Sequence, residues 1–106
     1  MASDSSLFKE GKLQLRYFVL DLEKAMFKFS KNDKSSKFRE FPFKNIVKVE
    51  VKDYYVATHK DFPFAFIVIT QERDFHLCAK SFQDRSMWLN GFNFLFEYRL
   101  QQASKL

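Results

Sequence analysis

Lys28, Lys31, Lys34 and Lys37 gather around the polar run Ser30-Lys31-Asn32-Asp33-Lys34-Ser35-Ser36-Lys37, and Lys9, Lys12 and Arg16 come shortly before them. Ammonium and guanidinium groups at this density suit an anion, above all a phosphate, because a hydrogen bond strengthens when both partners are charged. Arg16 is the best single candidate, since a planar guanidinium can grip a phosphate through two parallel bonds. The charge is also uneven. Residues 1–48 carry eleven Lys and Arg against six Asp and Glu, a net of +5, whereas residues 49–106 carry seven of each. Two readings compete: surface lysines that keep a Phe-rich chain in solution, or a basic surface built for an anionic partner. The confinement of the excess to one half favours the second.

Other chemistries find little support. His59 and His76 have no cysteine or carboxylate arranged with them as a triad. His76 and Cys78 share a strand face at i, i+2, but two ligands do not make a zinc site. No Gly-rich loop is present to cradle a nucleotide phosphate. The expectation is a non-enzyme with no catalytic residues, no metal and no cofactor. A single cysteine excludes an intrachain disulfide. Basic and aromatic residues coexist, yet the glycine-aromatic strand pattern of RNA-recognition modules is missing, so no nucleic acid is expected.

The elements that must position these cations follow from periodicity. At 106 residues, 46% hydrophobic and 29% charged, the chain suits one folded domain spanning 1–106 and not a disordered segment. Apolar alternation marks strands at Ser5 to Lys9, Leu13 to Asp21, Ala25 to Ser30, Phe38 to Phe43, Ile46 to Val51, Phe64 to Thr70 and Asp74 to Ala79. Glu10-Gly11 reads as a tight turn, and residues 1–6 as a polar N-terminal tail. Pro42 assigns its strand to an edge or an end, since proline cannot donate to a ladder. If neighbouring strands pair as hairpins, the two basic clusters emerge at the same end of the sheet.

A helix closes the chain over residues 81–100. Ser81-Phe82-Gln83-Asp84 fits a capping box, and Trp88, Phe92 and Leu95 fall on one face at i, i+4, i+7. One amphipathic helix after a run of hairpins predicts an open barrel with a plug. Phe18, Leu20, Phe66 and Leu77 join Trp88, Phe92 and Leu95 as the expected core. No apolar run approaches the ~20 residues that span a bilayer. Nor does the polar start resemble a secretion signal. The absence of Gly at position 2 excludes N-myristoylation of the chain as it stands.

Arg16-Tyr17-Phe18-Val19-Leu20 resembles the second-strand signature of pleckstrin homology domains. Phe66-x-Val68-x-Thr70 followed by Arg73-x-Phe75-x-Leu77-x-Ala79 is similar to that family's sixth and seventh strands, and Trp88-Leu89-Asn90-Gly91-Phe92 to its closing helix. The resemblance covers about Leu7 to Leu100. It implies a mainly β fold, a seven-stranded bent antiparallel barrel capped by one C-terminal α-helix. It also implies a membrane-targeting, signalling-type module binding phosphoinositide or other acidic phospholipid head groups through the first loops.

Carried over residue by residue, Lys9 or Lys12 takes the family's first-strand lysine and Arg16 the last position of its basic second-strand motif. The middle position is Gln14, which is neutral, and the Glu10-Gly11 turn is short. The expectation is therefore soft electrostatic docking by Lys9, Lys12, Arg16, Lys28, Lys31, Lys34 and Lys37 onto phosphoinositide, phosphatidic acid or phosphatidylserine, at the cytosolic face of membranes. The alternative is a protein-interaction adaptor. Its support is the aromatic surplus of Tyr54, Tyr55, Leu89, Phe94 and Tyr98, which either pack on this domain's own loops or mark a partner surface.

Overall fold

The computed structural model describes residues 2–9, 12–52 and 63–104, with side chains from 14 to 52 and from 63 to 102. Strands β1 (Ala2–Lys9), β2 (Lys12–Asp21), β3 (Met26–Ser30) and β4 (Arg39–Pro42) lead through a 3-10 turn at Phe43–Asn45 into β5 (Ile46–Val51), β6 (Phe64–Thr70) and β7 (Asp74–Ala79). Helix α1 (Phe82–Ser104) ends the chain. The fold is mainly β with one C-terminal helix.

Two antiparallel three-stranded sheets, β2-β3-β4 and β5-β6-β7, are joined through β1, giving the order β4-β3-β2-β1-β7-β6-β5. Strand β1 pairs with β2 from Ala2↔Val19 to Lys9↔Lys12, and with β7 from Ser6↔Cys78 to Phe8↔His76. Strand β4 lies at one edge, where the missing N–H of Pro42 costs no ladder bond.

Several element boundaries differ from the sequence expectation. The polar tail 1–6 is strand from Ala2 onward, because a ladder is built from backbone groups and β2 is long enough to pair with all of it. Ala25 belongs to the turn before β3, not to the strand, and takes φ 50 there. Phe43 leaves β4 for the 3-10 turn, where its N–H donates to the Ala25 carbonyl at 2.9 Å. Residues 10–11, with the expected tight turn, and Tyr54, Tyr55 and His59 lie outside the described residues.

The core is a mesh of rings. Phe27 on β3 meets Phe18 of β2 at 5.7 Å, Phe75 of β7 at 5.9 Å, and Trp88 and Phe92 of the helix at 6.5 and 5.5 Å. Phe41 of β4 meets Phe75 at 4.9 Å, so both sheets and the helix share one interior. Phe18, Leu20, Phe66, Leu77, Trp88, Phe92 and Leu95 are all buried in it. Burying one such side chain contributes roughly 1.5–3 kcal/mol.

The helix begins where Ser81 Oγ accepts the Asp84 N–H at 3.0 Å. Asp84 Oδ2 accepts no hydrogen bond and instead lies 3.9 Å from Lys80 Nζ. Arg85, buried on the next position, donates to the Ala65 carbonyl at 3.2 Å and stacks on Phe64 and Phe82, tying the first turn to β6. Gly91 is buried between Trp88 and Phe92 on that face. The helix runs past Leu100 through Gln101, Gln102 and Ala103, which are favourable helix formers.

Candidate functional site

The register fixes where the cations can stand. Lys9 and Lys12 face each other as the last pair of the β1–β2 ladder. Strand β3 leaves β2 at the same end, but its last pair is Tyr17↔Ser30, five residues short of Lys12. At about 3.4 Å per residue, the β3–β4 loop departs roughly 17 Å short of the hairpin. The two basic clusters therefore lie toward the same end of the ladder, with the last β2–β3 pair set back from the hairpin.

The loop itself is organised by short polar bonds. The Asn32 carbonyl accepts from Ser30 Oγ at 2.7 Å and from the Ser35 N–H at 3.3 Å, and Asn32 Oδ1 accepts the Lys34 N–H at 3.0 Å. Ser35 Oγ accepts the Lys37 N–H at 3.2 Å. Satisfied internally, the backbone holds Lys31, Lys34 and Lys37 outward, all exposed. Ion pairs among the described residues lie on β5, where Glu50 meets Lys48 at 2.7 Å and Lys52 at 3.2 Å, and at Lys80–Asp84; none engages these three lysines. Asp33, inside the loop, offsets part of their charge.

Arg16 and Lys28 are differently placed. The register sets Arg16 beside the first residue of the loop, but its guanidinium donates to the Leu15 carbonyl at 2.7 Å and to Gln14 Oε1 at 3.1 Å. Of its five N–H donors, those left over remain for another partner. Lys28 alternates out of the core between Phe27 and Phe29, stands opposite Glu40 across the ladder, and puts its ammonium 4.9 Å from the Phe38 ring. The side chains of Lys9 and Lys12 lie outside the described residues. Sequence reasoning passed over Arg39, exposed at the start of β4 directly after the loop, because it fell inside an expected strand. Its position two residues after Lys37 was the available signal.

Burial pushes the Cys78 thiol up, which keeps it protonated and a poor nucleophile or metal ligand. No group of three or more His, Cys, Asp or Glu that could hold a metal ion occurs among the described residues. Two carboxylates titrate low for structural reasons. The Lys24 N–H, 3.0 Å from Asp21 Oδ1, holds Asp21 below the usual range, and hydrogen bonds from Lys48 and Lys52 do the same for Glu50.

A second surface lies along the C-terminal half of α1. Phe94 and Tyr98 are 57% and 54% exposed, so they do not pack away on the described loops. Two hollows flank Tyr98. One, of about 430 Å³, is lined by Leu22, Glu23 and Phe94; the other, of about 250 Å³, by Phe43, Lys44, Arg99 and Gln102. Ala25, Leu95 and Tyr98 border both. Arg99 is held at the rim by the Phe43 and Phe96 rings at 4.9 and 5.1 Å.

Two antiparallel sheets are closed by a single tryptophan-bearing helix, with exposed loops at one end. The family model for the PH domain matches residues 2–96, nearly the whole chain, and the protein belongs to that family. PH domains are in general non-catalytic modules for lipid or protein interaction. A search of curated proteins finds no match to the sequence. No helix among the described residues is long and apolar enough to cross a membrane.

Proposed function

We propose that this PH domain docks on acidic membrane through the β3–β4 loop, with Lys31, Lys34 and Lys37 as its principal contacts and Lys9, Lys12, Arg16 and Lys28 in support. The observation that carries this reading is the state of the three loop lysines: exposed, free of ion pairs among the described residues, and held outward by a loop that satisfies its own backbone. A cation near an anionic leaflet contributes about 1 kcal/mol, so three of them contribute enough for reversible recruitment. The setback of roughly 17 Å between loop and hairpin favours several shallow head-group contacts over one deep pocket. Phosphatidylserine, phosphatidic acid and phosphoinositides all fit such a surface. A peripheral position at the cytosolic face of membranes follows from the same reading.

Cosedimentation with vesicles containing each acidic lipid, at two salt concentrations, tests it. Binding should exceed that to phosphatidylcholine vesicles and fall steeply as salt rises. K31E/K34E/K37E should lower it tenfold or more. Equal pelleting with acidic and neutral vesicles ends the proposal.

A second reading, an adaptor for proteins, is favoured by the exposure of Phe94 and Tyr98. It expects changes at those two residues to alter association and leave vesicle binding intact.

A further inference from the structure

We infer that the groove astride Tyr98 is a self-association surface, and that its occupant is a second copy of this chain. The inference deepens the adaptor reading by naming the partner, and it does not depend on lipid binding. Three features point to a copy. The groove is apolar along its middle, where Ala25, Leu95 and the exposed ring of Tyr98 border both hollows, and Phe94 adds a second exposed ring on the Glu23 side. One end carries an acid, Glu23; the other carries bases, Lys44 and Arg99. Tyr98 stands between the two hollows as a ridge.

A surface ordered as acid, apolar ridge and base is complementary to itself when turned by a two-fold axis. Rotation about Tyr98 sets the Glu23 end of one copy over the Lys44 and Arg99 end of the other, twice. That is the isologous arrangement expected of a symmetric dimer, in which the same patch serves both subunits. Each ridge then has a hollow of the other copy beside it. Glu97, although adjacent to Tyr98 in sequence, is not among the residues lining either hollow, so it does not add a like charge to the contact. Arg99, already stacked on two rings and donating to the Ile46 carbonyl at 3.5 Å, has less side-chain freedom left to lose on meeting the incoming carboxylate.

The size of the surface sets the strength. A fully buried aromatic side chain covers about 150–250 Å². With a little over half of each ring exposed, the four rings of a dimer contribute on the order of 400 Å². Stable complexes bury about 1,200–2,000 Å² in total, so the dimer is a weak one that forms in concentrated solution or when copies are held together on a surface.

Sedimentation velocity of the intact chain from 10 to 500 μM tests the inference. The sedimentation coefficient should rise with concentration toward that of a dimer, and F94S/Y98S should stay monomeric with an unchanged circular dichroism spectrum and melting temperature. E23K and K44E should each weaken the dimer several-fold, and E23K/K44E should restore it. A wild-type chain that remains monomeric at 500 μM overturns the inference, and the adaptor reading then stands or falls on whether another protein needs Phe94 and Tyr98. A dimer indifferent to F94S/Y98S, or one that the paired exchange fails to restore, also overturns it.

Discussion

The β3–β4 loop and helix α1 hold their side chains by opposite means. The loop ties its own backbone with Asn32 and Ser35 and leaves three lysines in water, so almost none of the fold's stability depends on them. The helix spends Trp88, Phe92 and Leu95 on the interior, where Phe27 joins them to both sheets. What differs is where a substitution registers: in the partner's affinity for the loop, in the folding equilibrium for the helix. A domain arranged this way can change its ligand without being refolded.

The largest expected effect breaks the helix side. Trp88→Ala removes a buried indole that closes one interior shared by both sheets, at a cost of about 3–5 kcal/mol. Small domains have only about 5–15 kcal/mol in hand, so urea melts should show a severely weakened or unfolded chain. On the loop side, K31E/K34E/K37E should lower acidic-vesicle binding by tenfold or more and leave the urea midpoint within experimental scatter. A matching loss of stability would show that the loop is part of the structural framework after all.

A smaller effect tests the border of the helix. Ser81→Ala deletes the acceptor of the Asp84 N–H and should cost about 1 kcal/mol, seen as a lower melting temperature with vesicle binding intact. The smallest is acid sensitivity. Asp21 and Glu50 titrate low in the folded protein, so each adds stability above the ordinary carboxylate range and loses it as pH falls through the lowered folded value. Both are partly exposed, so solvent screening keeps the contribution slight. Melting curves from pH 7 to pH 3 should decline less steeply for D21N/E50Q than for the parent.

Much of the framework was legible because it rests on local rules. Alternation at Phe18 and Leu20, at Phe27 and Phe29, and at Phe75 and Leu77 marked the buried faces of three strands, and Ser81 marked the helix start within one residue. Strand β1 before Ser5 was not legible, since its polar residues enter the sheet through backbone pairing with a strand that supplies the pattern for both. Ala25 was misread for a related reason: it is apolar and in phase with Phe27, yet the chain reverses there. Of the candidate site, the density of lysines was plain in the sequence. The offset between hairpin and loop was not, because it depends on how many residues of β2 and β3 pair. The groove beside Tyr98 was half visible as surplus aromatics; Lys44 and Arg99 reach its rim only through the tertiary fold.

Strand β1 lies between partners that are about ten and about seventy residues away along the chain. During synthesis the near partner arrives at once, but one flank of β1 stays bare until Cys78 has emerged. Such a remote closure slows folding, and an uncovered strand edge invites other chains to pair with it. A nascent or truncated product ending before β7 would thus present an adhesive ribbon, which makes the seventh strand the safeguard of the first.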